Sequence, residues 1–228
     1  MTIELWVLQT LRLKGMATGE DIGSATGAPA GEVEPVLGEL GAAGYLEQFR
    51  ERYRLTKPGR ARLDELLAAE RASLDLARLA EAYREFGAPN SAFKQLVTDW
   101  QLKDGGTFND HTDADYDAKI LHRLGELHDG FGPLLERLVG LAPRLAQYPR
   151  RFTSALAKVR AGEHIWLARP MIDSYHTVWF ELHEDLIGLA GSSRAAEAAA
   201  EAAAGPAAGA GGLKAAAGAA EAAAGVAE

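Results

Sequence analysis

The chain has no cysteine. Disulfides, thiolate metal sites and thiol redox switches are therefore excluded. No apolar run approaches the roughly 18 residues that a membrane span needs, so no membrane partner is expected. Met1 to Met16 lacks a basic leader followed by an apolar core and a small-residue cleavage site. No secretory signal is read there, and the expected compartment is the cytoplasm. Positive charge is also scarce, with 24 Lys and Arg against 32 Asp and Glu and a net charge of −8. Bulk charge cannot hold nucleic acid here, so any DNA contact has to come from a local patch. No G-x-G-x-x-G follows a strand, and neither a phosphate loop nor G-x-S-x-G occurs. Asp110 with His111 could act as an acid–base couple but has no nucleophile beside it. The expectation is a protein that is not an enzyme and carries no cofactor.

What is present is ordinary globular material: 228 residues, 47% hydrophobic and 25% charged, enough for one large or two small domains. Residues 3–13 place Ile3, Trp6, Val7, Leu11 and Leu13 largely on one helical stripe that Gly15 ends. Thr18 caps a short second helix, with Asp21 in the capping-box position. Ala28 and Pro29 make a turn, and a third helix is predicted from about Pro29 to Ala43. Pro35 fits a first turn if that helix starts at Glu34. Val36 to Arg62 then organises the rest. Gly44 suits the left-handed residue that closes a helix. Two β-prone runs follow, Leu46–Phe49 and Tyr53–Thr56, joined by Arg50, Glu51 and Arg52. Thr56 caps a new helix, with Pro58 in its first turn.

This wording resembles the winged-helix regulators of the MarR and PadR type. The residues that carry the resemblance are Leu37, Leu40, Gly44, Tyr45 and Leu46, then Tyr53, Arg54, Leu55, Thr56, Gly59 and Arg60. It covers about residues 3–70. It implies a winged helix-turn-helix, binding to double-stranded DNA and a homodimer. The expected fold is mainly α with a small β wing: a winged helix over 1–70 followed by a C-terminal helical bundle.

The third helix would then be the recognition helix. It carries Glu32, Glu34 and Glu39 and none of the Arg, Lys, Asn or Gln that usually read bases. Residues 1–70 hold 8 Lys and Arg against 11 Asp and Glu. The wing is the opposite. Arg50, Arg52, Arg54, Lys57, Arg60 and Arg62 fall within 13 residues, opposed only by Glu51. Arg50, Arg52 and Arg54 alternate and would share a strand face. Arg50, Arg52, Arg54, Lys57 and Arg60 are the candidate DNA-binding residues. Alternatively the strip is a solvated basic face that pairs with the three glutamates, and the unit is a protein-interaction module without DNA affinity.

Residues 58–86 form one long helical pattern, with Leu63, Leu66, Leu67, Leu74, Leu79 and Tyr83 on its apolar face. A connecting or dimerisation helix over 58–89 is predicted, ended by Gly87-Ala-Pro89-Asn90. Residues 90–191 show no strand pattern and read as an all-helical bundle, with Trp100, Trp166, Trp179 and Leu182 mostly buried. Thr112 opens a helix that Gly130-Phe-Gly132-Pro133 interrupts. Residues 192–228 are a low-complexity Ala/Gly tail.

All six histidines lie in the predicted second domain, 90–191. His176 and His183 are seven apart, about 10 Å along a helix, too far to share one ion. No metal site is expected. Asp113-x-Asp115-x-Asp117 starts like a calcium loop, but Ala118 replaces the required Gly and Leu124 the closing Glu. These acids suit a helix N-terminus. Tyr175, His176, Phe180 and His183 form an aromatic and polar flank, the candidate site for a small-molecule effector. Satisfied histidines at a helix seam are the other reading. Asp173 to Glu184 is also similar to an accessory region found with phosphoenolpyruvate-utilising enzymes. None of those enzymes' motif residues is matched, so no catalytic role is carried over.

Overall fold

A computed structural model describes residues 2–103 and 106–191. The predicted tail 192–228 lies outside the described residues. The described chain is mainly helical with small antiparallel sheets. None of its helices is long and apolar enough to cross a membrane.

The first unit is built by caps and short turns. Helix α1 (Ile3–Lys14) ends at Gly15, whose positive φ of 73° favours glycine. Strand β1 (Ala17–Thr18) leads into α2 (Gly19–Thr26). The predicted capping box is formed: Thr18 Oγ1 accepts from Asp21 N–H at 3.0 Å, and Thr18 N–H donates to Asp21 Oδ2 at 3.0 Å. Helix α3 (Ala30–Ala42) turns Val33, Leu37 and Leu40 inward. Strands β2 (Leu46–Phe49) and β3 (Arg52–Leu55) pair antiparallel, and β1 adds on the other side of β3. Helix α4 (Lys57–Ala72) is capped by Thr56, whose Oγ1 accepts from Gly59 N–H at 3.1 Å. The core of this unit is Leu5, Val7, Leu8, Leu11, Ile22 and the inward residues of α3, closed by Leu46, Leu55 and Leu63.

The remainder is a second, larger apolar cluster. It contains α5 (Leu76–Gln101), α6 (Ala114–Leu141), a 3₁₀ turn (Pro143–Gln147), α7 (Tyr148–Arg160), α8 (Ile165–Ala168) and α9 (Tyr175–Ala190). Its centre is aromatic: Phe93, Phe131, Phe152 and Tyr175 surround Trp179, with the Phe93 and Trp179 rings 4.5 Å apart. Trp100, Trp179 and Leu182 are buried as expected, while Trp166 is only half-buried.

Several boundaries differ from the sequence reading. Helix α3 starts at Ala30, so Pro35 is interior rather than in a first turn. Burial of Val33 on the stripe of Leu37 and Leu40 draws the start back. The single helix over 58–89 is two helices, broken at Ser73–Asp75, where Asp75 caps α5 by accepting from Arg78 N–H. The break separates Leu63, which belongs to the first cluster, from Leu79, which belongs to the second. Of the predicted apolar face, Leu63 and Leu79 are buried, while Leu66, Leu67, Leu74 and Tyr83 are half-buried against the two clusters. Helix α5 runs straight through Gly87-Ala-Pro89-Asn90, and α6 through Gly130-Phe-Gly132-Pro133. In both, buried aromatics on either side of the proline, Phe86 with Phe93 and Phe131 with the leucines beyond it, reward helical continuity. The cap of α6 is Asp113, not Thr112, and accepts from Tyr116 N–H. The bundle is not purely helical either. Leu102–Lys103 (β4) pairs with Thr107–Phe108 (β5). Buried Asn109 fixes this return, since its Nδ2 donates to the Trp100 carbonyl and to Asp117 Oδ1 at 3.0 Å each.

Candidate functional site

The two apolar clusters meet across a seam of charge. Helix α9 presents Glu181 and Asp185, four residues apart, both buried. Asp185 accepts from Arg144 Nη1 at 2.8 Å, from the Tyr148 hydroxyl at 2.6 Å and from Gln9 of α1. Arg144 Nε also donates to both oxygens of Glu70 on α4 at 2.9 Å. Glu181 accepts from Arg151 at 2.6 Å and from Lys14 of α1 at 3.0 Å. Asp173 takes Lys14 at 2.8 Å and Arg151 through two nitrogens. Each buried charge therefore has opposite charges and hydrogen bonds, which such burial requires. Burial would raise the Asp173 carboxyl, but Arg151 and Lys14 outweigh it and hold it at about 2. Burial, together with Asp185, pushes the Tyr148 hydroxyl far above its ordinary range, so it donates and does not ionise. At one edge, Arg150 of α7 donates to the Ser24 carbonyl near the end of α2 at 2.6 Å.

Beside this network lies a cavity of about 480 Å³. Its floor and walls come from both halves. Leu13 and Lys14 of α1, Met16, Asp21 and Ser24 of α2, and Arg52 of β3 face Trp166, the loop Pro170–Asp173, and His176, Thr177, Phe180 and Glu181 of α9. Helix α9 is aimed by its cap, with Ser174 Oγ accepting from Thr177 N–H. Arg52 comes in because β3 pairs Arg52 with Thr18 of β1. Its Nη2 donates to the Met16 carbonyl at 3.0 Å. Its Nε is shut off from solvent and has no acceptor among the described residues. His176 is mostly buried, which pulls its imidazole below its ordinary range and keeps it neutral at neutral pH. Met171, at the rim, is 80% exposed and has a positive φ of 66°.

Comparison with protein families, with curated proteins and with solved structures gives no match.

Of the four candidate effector residues, His176 and Phe180 line the cavity and the other two do not. Tyr175 is fully buried in the aromatic core, 4.9 Å from the Phe152 ring, with its hydroxyl 3.2 Å from His128 Nδ1. His183 turns to α5, where it meets Phe86 and the Tyr83 hydroxyl. One helix flank in sequence thus serves two different surfaces, because α9 is packed on nearly all sides. Lys14, Trp166 and Asp173 are not among the candidate site residues read from the sequence, which places Trp166 in the bundle core instead. The available signal was Glu181 and Asp185, two acids at helical spacing within an otherwise apolar stripe.

The five basic candidates separate as well. Arg50 sits in the hairpin turn at φ 56°, not on a strand, so it does not share a face with Arg52 and Arg54. Its guanidinium lies 5.5 Å over the exposed Phe49 ring. Arg54 pairs with Glu47 across the hairpin at 2.9 Å, and Arg52 is drawn into the cavity. Lys57 and Arg60 are exposed on the first turn of α4. The alternative pairing of this strip with Glu32, Glu34 and Glu39 is not formed among the described residues. The outer face of α3 stays exposed and acidic. Glu34 is placed against Gly19, the first residue of α2, where the helix dipole favours a carboxylate.

Proposed function

We propose that residues 2–72 are a winged helix and that the protein is a DNA-binding transcriptional regulator with an effector site at the seam. The order helix, strand, two helices, hairpin, helix, with the sheet β1-β3-β2, supports the first part. The observation that carries the second is the shared wall of the cavity. Arg52 belongs to the hairpin that holds the DNA-contacting tip, Asp21 and Ser24 to the helix before α3, and His176 and Phe180 to the helical half. A ligand touching all three shifts the balance between arrangements that differ there.

DNA contact is assigned to Arg50 at the hairpin tip and to Lys57 and Arg60 on α4, where the helix N-terminus also favours phosphate. Helix α3 offers no side-chain donor to a base edge, so contact is mainly with phosphates. One copy brings few cations to a duplex, and a homodimer would double them. Changing Arg50, Lys57 and Arg60 together to Ala should weaken binding at every sequence tested. It should also flatten the salt dependence by about one unit of log–log slope per lost phosphate contact. Changing Glu32 and Glu39 to Gln should strengthen non-specific binding. Anisotropy titrations of random and genomic duplexes at two salt concentrations, with sedimentation for the dimer, provide the test. No binding by the wild type at low salt would end the reading.

The exposed acidic face of α3 favours a second reading, a winged-helix protein-interaction module that accompanies a metabolic enzyme. It predicts no DNA binding in any variant and loss of a protein partner on changing Glu32 and Glu39.

A further inference from the structure

We infer that the seam cavity takes a small amphipathic organic anion, with its carboxylate on Arg52 and its apolar body against Trp166, Met171 and Phe180. This rests on the effector reading of the cavity and names the chemistry of what fills it.

Volume sets the first limit. About 480 Å³ lies in the range of small-molecule sites, roughly 300–1,000 Å³. Most of the lining that is not charged is apolar, and it includes an exposed methionine and a half-exposed phenylalanine at the rim. Such a surface favours an apolar body.

Charge sets the second. Lys14 is bound to Asp173 and Glu181, and those two acids are also bound to Arg151. These four charges cancel within hydrogen-bond distance and offer a ligand nothing. Two charged groups remain in the wall, Asp21 and Arg52. Asp21 is exposed, and one of its oxygens already accepts the Thr18 N–H of the capping box. Water serves its other oxygen at no cost. Arg52 differs. One nitrogen is spent on the Met16 carbonyl, and Nε is closed to solvent without an acceptor. Unlike Lys14, Arg52 pairs with no carboxylate among the described residues. Arg52 thus lines the cavity with a positive charge that no carboxylate offsets, so the wall gains by receiving an anion there and gains little by receiving a cation at Asp21. A carboxylate supplies two oxygens to a guanidinium in a geometry an alcohol cannot match. Neutral His176 adds a hydrogen-bonding group without changing that balance.

Isothermal titration of the full chain, without DNA, tests this with matched probes: decanoate against decanol and decylamine, and naphthoate against naphthol. The carboxylates should bind at least about tenfold more tightly than the alcohols, the ratio expected for one charge-assisted contact. Arg52→Gln should abolish that preference while alcohol binding persists, which also shows that the variant is folded. Arg52→Lys should keep part of it, and Arg54→Gln all of it. Bound carboxylate should quench Trp166, so the fluorescence response should vanish in Trp166→Phe. Equal binding of carboxylate and alcohol, tighter binding of the amine, an unchanged preference in Arg52→Gln, or no binding of any probe would each overturn the inference. A protein that binds the anions but no DNA would refute the regulator reading and leave the anion site standing.

Discussion

Asp185 and Arg54 both take part in ion pairs, yet removing them should have very different consequences. Asp185 is 1% exposed and satisfies Gln9, Arg144 and Tyr148 at once. Asp185→Ala leaves the buried Arg144 with Glu70 alone and the buried Tyr148 hydroxyl and Gln9 amide without this acceptor, so it should cost about 3–5 kcal/mol in urea unfolding. Arg54 and Glu47 are each half-exposed, and Arg54→Ala should cost less than about 1 kcal/mol. A cost for Asp185→Ala within the surface range would show that the seam is not energetically coupled. Asp173 adds a pH dependence. Its folded value of about 2 lies below an unfolded value of about 3.9. A depressed carboxyl stabilises the fold above the unfolded value, and that stability drains as pH falls through the folded one. The contribution, on the order of 2 kcal/mol, should disappear between about pH 4 and pH 2. Asp173→Asn should flatten the acid limb of the stability curve over that window. An unchanged slope would mean that Lys14 and Arg151 do not hold the carboxyl down.

At the scale of elements, the N-terminal unit was legible almost residue by residue, and the helical half was not. The difference is local versus distant cause. Thr18 with Asp21, Thr56 with Pro58, and Gly44 write their helix ends into adjacent residues. Gly59 has an equally local reason. A Cβ there would stand 2.0 Å from the Tyr45 carbonyl oxygen, which also accepts from Thr56 N–H. Gly59→Ala should therefore destabilise by about 1–3 kcal/mol or more, although the same change in an open helix is favourable. Pro89 and Pro133 misled in the other direction. Both read as helix stops, yet both lie inside helices because distant aromatics pack on either side of them. That packing overrides a local cost of about 3 kcal/mol. Pro89→Ala should then raise stability by roughly 1–2 kcal/mol, the restored bond being partly offset by a freer unfolded chain. Loss of stability in Pro89→Ala would mean that the ring itself packs usefully. The two-residue hairpin β4–β5 left no alternating pattern to read, since Asn109 rather than a strand sequence fixes it.

At the scale of the molecule, the seam was hidden from the sequence because its partners are far apart in it. Gln9 finds Asp185 across 176 positions and Lys14 finds Glu181 across 167. No periodicity reports such a pairing. It has a consequence for cooperativity. The two apolar clusters share no buried residue, and between them lie Glu70, Arg144, Arg151, Asp173, Glu181 and Asp185. If one cluster opened alone, several buried charges would lose their partners at several kcal/mol each. The intact protein should therefore unfold in one transition. Trp6 reports the first unit, and Trp100, Trp166 and Trp179 the second, so tryptophan fluorescence of a Trp6→Phe variant isolates the helical half. Its urea curve should coincide with the curve from far-ultraviolet circular dichroism, which sees both halves. Arg144→Ala should separate the two curves, because it releases Glu70 of the first unit from Asp185 of the second. The first unit should melt earlier, having the smaller core. Two transitions in the intact chain would show that the halves fold independently and that the charged seam contributes no cooperativity. Coincident curves that persist in Arg144→Ala would move that role to Lys14 and Arg151, and the same measurement on Arg151→Ala would then decide it.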